Sequence, residues 1–128
     1  QIAVIKAMVD QLNIDVDIIE CAIVRDEDGL ALSSRNELLT PEHRAAAPHI
    51  YATIKQCAEK MQTMTPAELT AWVVENINAN PLLKVIYFEA VDARTMQKVE
   101  SWSDAERIQG CCAVQAGEIR LIDNIKIK

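Results

Sequence analysis

The chain has 128 residues, of which 50% are hydrophobic and only 4% aromatic, and its formal net charge is −6. This length fits one compact domain, since most domains contain about 100 to 150 residues. The acidic balance excludes a general electrostatic attraction to nucleic acids or anionic membranes, because both require a basic surface. No apolar run approaches the ~18 residues that cross a bilayer. We therefore expect a globular protein that holds any anionic ligand through local contacts.

The first 23 residues combine a helical pattern with a strand-like one. Apolar residues recur every three to four positions from Ile2 to Leu12, which predicts an amphipathic helix over 1–13. The β-branched run over 16–23 predicts a buried strand. A helix followed by a buried strand is half of an α/β repeat, which is typical of parallel sheets. Because Gln1 is neither a capping residue nor an initiating methionine, we expect a part of a longer protein whose sheet lies upstream.

A polar loop follows this part of the chain. Residues 28–36 begin with a glycine turn, continue with a short apolar run, and contain Ser33, Ser34 and Arg35. Two hydroxyls and a guanidinium, with its permanent charge and forked N–H donors, suit a loop that binds phosphates. On local grounds alone, a solvated turn ahead of a helix is the favoured interpretation.

Two helices are predicted next. The first begins at Thr40 and runs to about Met61, with a disturbance at Pro48. The second begins at the capping-box pattern of residues 65–68 and ends near Pro81, because the residue before a proline avoids helical angles.

Three strands are predicted after these helices. They cover residues 84–91, 109–115 and 118–128, and the last two are joined by a hairpin at Ala116 and Gly117. Between the first two, Ser103-x-x-Glu106 is compatible with a single helical turn. The predicted fold is therefore α+β, with two helices packed on a roughly three-stranded antiparallel sheet.

Several polar groups are interpreted as structural. The four cysteines show no C-x-x-C spacing, which favours reduced, buried thiols in a cytoplasmic protein. The alternating charges over 25–28 favour a solvated turn over a magnesium site. His43 and His49 are six residues apart and do not share a helix face, so they are not paired as ligands. Asp123 and Asn124 are compatible with a cap or turn at the last strand.

The segment 23–36 closely resembles the corresponding segment of the pantothenate synthetase family, also called pantoate:beta-alanine ligases. The resemblance continues in order along the chain, through the helix start at Pro41 and Arg44, the strand at 87–91, and the closing residues 120–124. The chain is therefore identified as the C-terminal portion of a member of this family. Glu20 and Ala22 depart from it, because a glycine and a proline are expected there.

The resemblance implies a fold and an activity. Residues 1–31 would be the last helix and strand of a Rossmann-like nucleotidyltransferase domain that binds ATP and pantoate, and residues 32–128 an α+β lid domain. The family condenses pantoate with beta-alanine through a pantoyl adenylate, giving pantothenate, AMP and pyrophosphate for coenzyme A synthesis. ATP is a substrate, Mg²⁺ is bound through its phosphates, and the full-length protein would be a cytoplasmic homodimer.

The resemblance also assigns roles to residues. ATP binding falls to Val24, Leu32, Ser33, Ser34 and Arg35, of which Ser33, Ser34 and Arg35 are the catalytic group. Gln1 corresponds to a pantoate-binding glutamine, and no residue corresponds to a metal ligand. The family's histidine-bearing ATP motif and its Gly-Glu-Lys-Asp segment lie upstream of Gln1, so the chain alone is expected to be inactive. The alternative is a non-catalytic ligand-sensing or interaction module related to the lid domain.

Overall fold

The N-terminal helix α1 spans Ile2–Gln11 in the computed structural model, which describes residues 1–128. The predicted helix over 1–13 is thus confirmed. Val9 is its only buried side chain, and it lies outside the main hydrophobic cluster. The other apolar side chains of α1 therefore contribute little to the core.

The β-branched run over 16–23 forms no strand in the structure. Its side chains are exposed except for the half-buried Ile18. A strand requires a neighbour that takes up its N–H and C=O groups, and none of the three strands of residues 1–128 pairs with this run. The β-branched residues supply the propensity for a strand without the partner that it needs.

The helix predicted from Thr40 to Met61 is divided into three. These are α2, Pro41–Ala46; α3, Pro48–Ile54; and α4, Cys57–Lys60. The Thr40 hydroxyl caps α2 by accepting a hydrogen bond from the His43 amide. Pro48 occupies the first position of α3, because its ring is compatible with a helix start but not with a helix interior.

Helix α5 spans Pro66–Asn78 and has the predicted capping box. The Glu68 amide donates to the Thr65 hydroxyl (3.3 Å), and the Glu68 carboxylate accepts from the Thr65 amide (2.8 Å). These hydrogen bonds lower the pKa of Glu68. The helix ends before Pro81, as the sequence predicts.

Three antiparallel strands form one sheet in the order β1-β2-β3. They are β1, Leu83–Asp92; β2, Ile108–Ala116; and β3, Ile119–Lys126. The predicted hairpin joins β2 to β3, and Gly117 takes the left-handed conformation there (φ 61°). The predicted helical turn at residues 103–106 is a non-helical turn instead.

A β-bulge in β1 lets two parts of this strand face the same core. The register shifts between Val85 and Tyr87, which leaves Ile86 as the extra residue. Side chains alternate along a strand, so Leu83 and Phe88 could not both point inward without one inserted residue. Both are buried.

The core lies between one face of the sheet and helices α3 and α5. Its fully buried large side chains come from both layers: Ile54, Leu69, Val73, Ile77, Ile108 and Val114. Cys57 and Cys112 are buried here, and burial raises the pKa of each thiol to about 12. All four cysteines are free, with Cys21 exposed and Cys111 half-buried. The predicted α+β architecture is confirmed.

None of the helices has both the length and the apolar character needed to cross a membrane.

Candidate functional site

Residues 25–36, which lie between α1 and α2, form a loop that begins with a tight turn. The Gly29 amide donates to the Asp26 carbonyl (2.9 Å), and the turn brings Arg25 and Ala31 into an isolated antiparallel bridge. Gly29 has a φ of 91°, and a Cβ at this position would lie 2.5 Å from the Tyr51 ring. The turn therefore requires glycine both for its backbone conformation and for its close approach to α3.

Arg25 attaches this turn to strand β3. Its guanidinium donates two hydrogen bonds to the Asp123 carboxylate, at 2.6 and 2.9 Å, and another to the Gly29 carbonyl at 3.2 Å. It also lies over the Tyr51 ring, 3.8 Å from the ring centroid. The hydrogen bond to Asp123 raises the pKa of Arg25 further, so this guanidinium remains charged. Such bidentate pairs fix both distance and orientation.

Arg44 of α2 holds the same turn from its solvent side. Its two terminal nitrogens donate to Asp28 (2.6 Å) and Asp26 (2.9 Å). The hydrogen bond from Arg44 lowers the pKa of Asp28. The solvated turn predicted over 25–28 is present in part: the carboxylates of Asp26 and Asp28 are paired with Arg44 at the surface, whereas Arg25 is largely buried against Asp123. No group of three or more His, Cys, Asp or Glu side chains is placed to hold a metal ion.

The tip of the loop, residues 32–35, is held differently. The Leu32 amide donates to the Val24 carbonyl (3.0 Å), and the Ser33 hydroxyl accepts from the Arg35 amide (3.2 Å). Ser33 thereby caps a short 3-10 helix, Ser34–Leu38. The side chains of Ser34 and Arg35 make no hydrogen bond or ion pair within the chain.

The loop tip borders a concave pocket of about 180 Å³ between α3 and β3. Its polar lining includes Ser33, Arg35, Asn36, Tyr51, Arg120 and Asp123. The Asn36 amide nitrogen donates to the Ala31 carbonyl (3.0 Å), whereas its buried Oδ1 atom has no hydrogen-bond partner within the chain. Arg35 and Arg120 have no carboxylate partner. The pocket thus offers positive charge and a hydroxyl in an otherwise acidic chain.

The predicted site residues are only partly brought together. Leu32, Ser33 and Arg35 line the pocket, and Ser34 lies between them in the chain without lining it. Val24 is joined to Leu32 by the backbone hydrogen bond, and its side chain is exposed. Gln1 stands at the start of α1, exposed and outside the pocket lining.

The two histidines have separate partners. A ring nitrogen of His43 lies 2.7 Å from the Thr40 hydroxyl, and one of His49 lies 2.9 Å from the Asn76 carbonyl. Each stabilises a helix end or a helix contact. Neither lines the pocket.

Sequence reasoning missed the cluster of Arg25, Tyr51 and Asp123, in which Tyr51 and Asp123 line the pocket and Arg25 contacts both. The sequence contains these residue types, but the three positions belong to different elements. Arg25 and Asp123 are 98 residues apart, and local pattern favoured a turn for one and a strand cap for the other. Only the tertiary fold brings them together.

Comparison with known proteins decides the family. A model of the pantoate-beta-alanine ligase family matches residues 1–126. The chain belongs to this family. Pantothenate synthetase of Porphyromonas gingivalis is 50% identical over 126 residues, which cover 98% of this chain and 45% of that protein. The enzyme of Bacteroides fragilis is 45% identical over 128 residues, covering 100% of this chain and 45% of that protein.

Solved structures of the ligase family agree with the fold. Pantothenate synthetase of Thermus thermophilus superposes with a TM-score of 0.88 at 34% identity, covering 98% of this chain and 45% of that one. The pantoate-beta-alanine ligase of Francisella tularensis, complexed with beta-gamma ATP and beta-alanine, has a TM-score of 0.62 at 30% identity. It is covered over 40% of its length, and this chain over 99%.

The chain spans less than half the length of the relatives that it matches, and the matched part is their C-terminal portion. The resemblance inferred from the sequence is confirmed at the level of the family.

Proposed function

We propose that the chain is the C-terminal portion of an ATP-dependent ligase that joins pantoate to beta-alanine through a pantoyl adenylate. The products are pantothenate, a precursor of coenzyme A, with AMP and pyrophosphate. The observation that carries this proposal is the guanidinium of Arg35, which has no ion-pair partner in the chain and belongs to a residue that lines the same pocket as Ser33. The Francisella relative crystallised with beta-gamma ATP and beta-alanine gives independent support.

The chemistry requires a better leaving group on the pantoate carboxylate. A carboxylate oxygen attacks the α-phosphorus of ATP, the bond to the bridging oxygen breaks, and pyrophosphate departs with the electron pair. The beta-alanine amine then attacks the acyl carbon, releases AMP and loses a proton. Negative charge grows on pyrophosphate during the first step, so donors from Arg35, Ser33 and Ser34 stabilise that transition state more than the bound substrate.

The remaining assignments concern the adenine base and the magnesium ion. The Val24 amide donates to no carbonyl of the chain, so it is available to the adenine base. Mg²⁺ would be bound through the phosphates of ATP, because the nearby carboxylates of Asp26 and Asp28 are engaged by Arg44.

The N-terminal part supports a two-domain organisation. We infer that residues 1–31 complete a Rossmann-like domain, where Gln1 binds pantoate, and that residues 32–128 form the lid. Large apolar side chains are exposed along the first part: Ile2, Val4, Met8, Leu12, Ile14, Val16, Ile19, Ile23 and Val24. An apolar surface of this extent is typical of an interface. The full-length protein would be a cytoplasmic homodimer, and this chain alone would be inactive.

Pyrophosphate exchange in the full-length protein tests the proposed function. Labelled pyrophosphate should enter ATP only when pantoate is present, and pantothenate and AMP should form when beta-alanine is added. This chain alone should give no exchange and serves as the control. ATP binding without pantoate-dependent exchange would contradict the proposal and favour a ligand-sensing or interaction module.

A further inference from the structure

We propose that Arg25 and Asp123 are positioning residues for the adenylate-forming step. Their ion pair sets where Ser33 and Arg35 stand, without contacting the substrate. This inference rests on the proposed function and extends it to residues that the sequence resemblance does not assign.

The Arg25–Asp123 pair is built as a rigid connection. Both hydrogen bonds between the two side chains are short, 2.6 and 2.9 Å, and the side chains are only 15% and 7% exposed. The same guanidinium holds the Gly29 carbonyl, so one side chain joins the turn to strand β3. Exposed ion pairs are weak and mobile, whereas a buried bidentate pair fixes one geometry.

Stacking adds a second constraint on Arg25. Its planar group lies 3.8 Å from the Tyr51 ring centroid, and Gly29 leaves room for that ring because it lacks a Cβ. A lysine would keep the charge but would lose both the fork and the flat face. The site therefore requires arginine for its shape as well as for its charge.

Backbone hydrogen bonds transmit this position to the loop tip. Arg25 is bridged to Ala31, the Asp26 amide donates to the Leu30 carbonyl (2.9 Å), and the Leu32 amide donates to the Val24 carbonyl (3.0 Å). These contacts form a short antiparallel ladder that ends one residue before Ser33. A shift of Arg25 would move the start of the tip with it.

Arg25 and Arg35 differ in whether their charge is neutralised by a carboxylate. Asp123 neutralises Arg25, and Arg25 does not line the pocket, so it has no free charge to offer a phosphate there. Arg35 has no acidic partner and keeps its charge available. Removing the pair should therefore impair placement of Arg35 and not the phosphate contact itself.

Comparing the two half-reactions distinguishes a positioning role of the pair from a general loss of structure. Pyrophosphate is present only while the adenylate forms, so misplacement of the tip should slow pantoate-dependent pyrophosphate exchange. Formation of pantothenate from preformed pantoyl adenylate and beta-alanine involves no pyrophosphate. A misplacement of about 1 Å costs up to about 100-fold in rate.

The test uses the full-length protein with Arg25→Lys and Asp123→Asn, and with Arg94→Gln as an exposed control that has no ion pair. Both positioning variants should lower exchange by about 10-fold to 100-fold and leave the second half-reaction within about 2-fold. Thermal melting should remain cooperative in both. Arg94→Gln should match the wild type in every measurement.

Unchanged exchange in both variants would overturn the inference. An equal loss of rate in both half-reactions, or loss of cooperative melting in both variants, would also overturn it, because the pair would then serve folding alone. Arg35→Ala distinguishes this failure from failure of the proposed function. If Arg35→Ala slows exchange while Arg25→Lys and Asp123→Asn do not, only the positioning role is wrong. Absence of exchange in the wild type would overturn both proposals.

Discussion

The base and the tip of one loop are held in opposite ways. The base, residues 25–31, is fixed by a largely buried ion pair from Arg25 to Asp123 and by exposed ion pairs to Arg44. The tip, residues 32–35, is held only by backbone hydrogen bonds and by the Ser33 hydroxyl cap. A charge can stabilise a departing anion only if it is not already neutralised, yet it must be delivered to one place. One loop therefore combines a fixed base, which sets position, with a tip whose charge is not neutralised.

Replacing Gly29 with alanine should have the largest effect on the anchored base. The residue has a φ of 91°, and an added Cβ would lie 2.5 Å from the Tyr51 ring. We expect the free energy of unfolding to fall by at least about 2 kcal/mol, from left-handed strain and displacement of the ring. Urea denaturation measures this, with the exposed Glu27→Ala as a control expected to stay within about 0.5 kcal/mol. Equal effects of the two changes would mean that the base is not tightly packed.

Replacing Ser33 with alanine should loosen the tip while leaving the base intact. The change removes the acceptor for the Arg35 amide, and loss of a helix cap costs about 1 kcal/mol. Hydrogen exchange at the Arg35 amide should become several-fold faster, on the order of 5-fold. Ser34→Ala is the matched control, because the Ser34 side chain makes no hydrogen bond in the chain. Faster exchange throughout residues 25–31 would show that tip and base are not independent.

Replacing Arg44 with glutamine should have the smallest effect, because its partners are exposed. Arg44 lowers the pKa of Asp28, so the pair stabilises the folded state above the ordinary carboxyl pKa of 3.8 and loses that contribution as the pH falls through the lower folded value. In Arg44→Gln the pKa of Asp28 should rise toward its ordinary value, as followed by NMR titration. An unchanged pKa would show that the Asp28–Arg44 contact does not persist in solution.

Local chemistry explains the parts of the fold that the sequence predicted. The Thr65–Glu68 capping box and the turn at Gly117 each depend on residues close together in the chain, and both are present. Pro48 was predicted to disturb a helix, and it begins a new one. The run over 16–23 depends on a partner strand instead, so its propensity alone was insufficient.

The candidate site was likewise predictable only where residues close together in the chain carry the signal. Ser33 and Arg35 could be identified because adjacent residues carry the resemblance to the ligase family, and both line the pocket. The pair between Arg25 and Asp123 could not, because nothing in either local segment indicates a partner 98 residues away. The bulge in β1 was equally hidden, since it depends on how the core fills both ends of the strand.

Pantoate-dependent pyrophosphate exchange in the full-length Arg35→Ala variant tests the central claim most directly. The free guanidinium at the tip is proposed to stabilise the departing pyrophosphate, and loss of one such preorganised donor typically costs about 100-fold in rate. We predict a loss of that order, with cooperative melting retained because the side chain of Arg35 has no partner in the fold. Exchange at the wild-type rate would contradict the account.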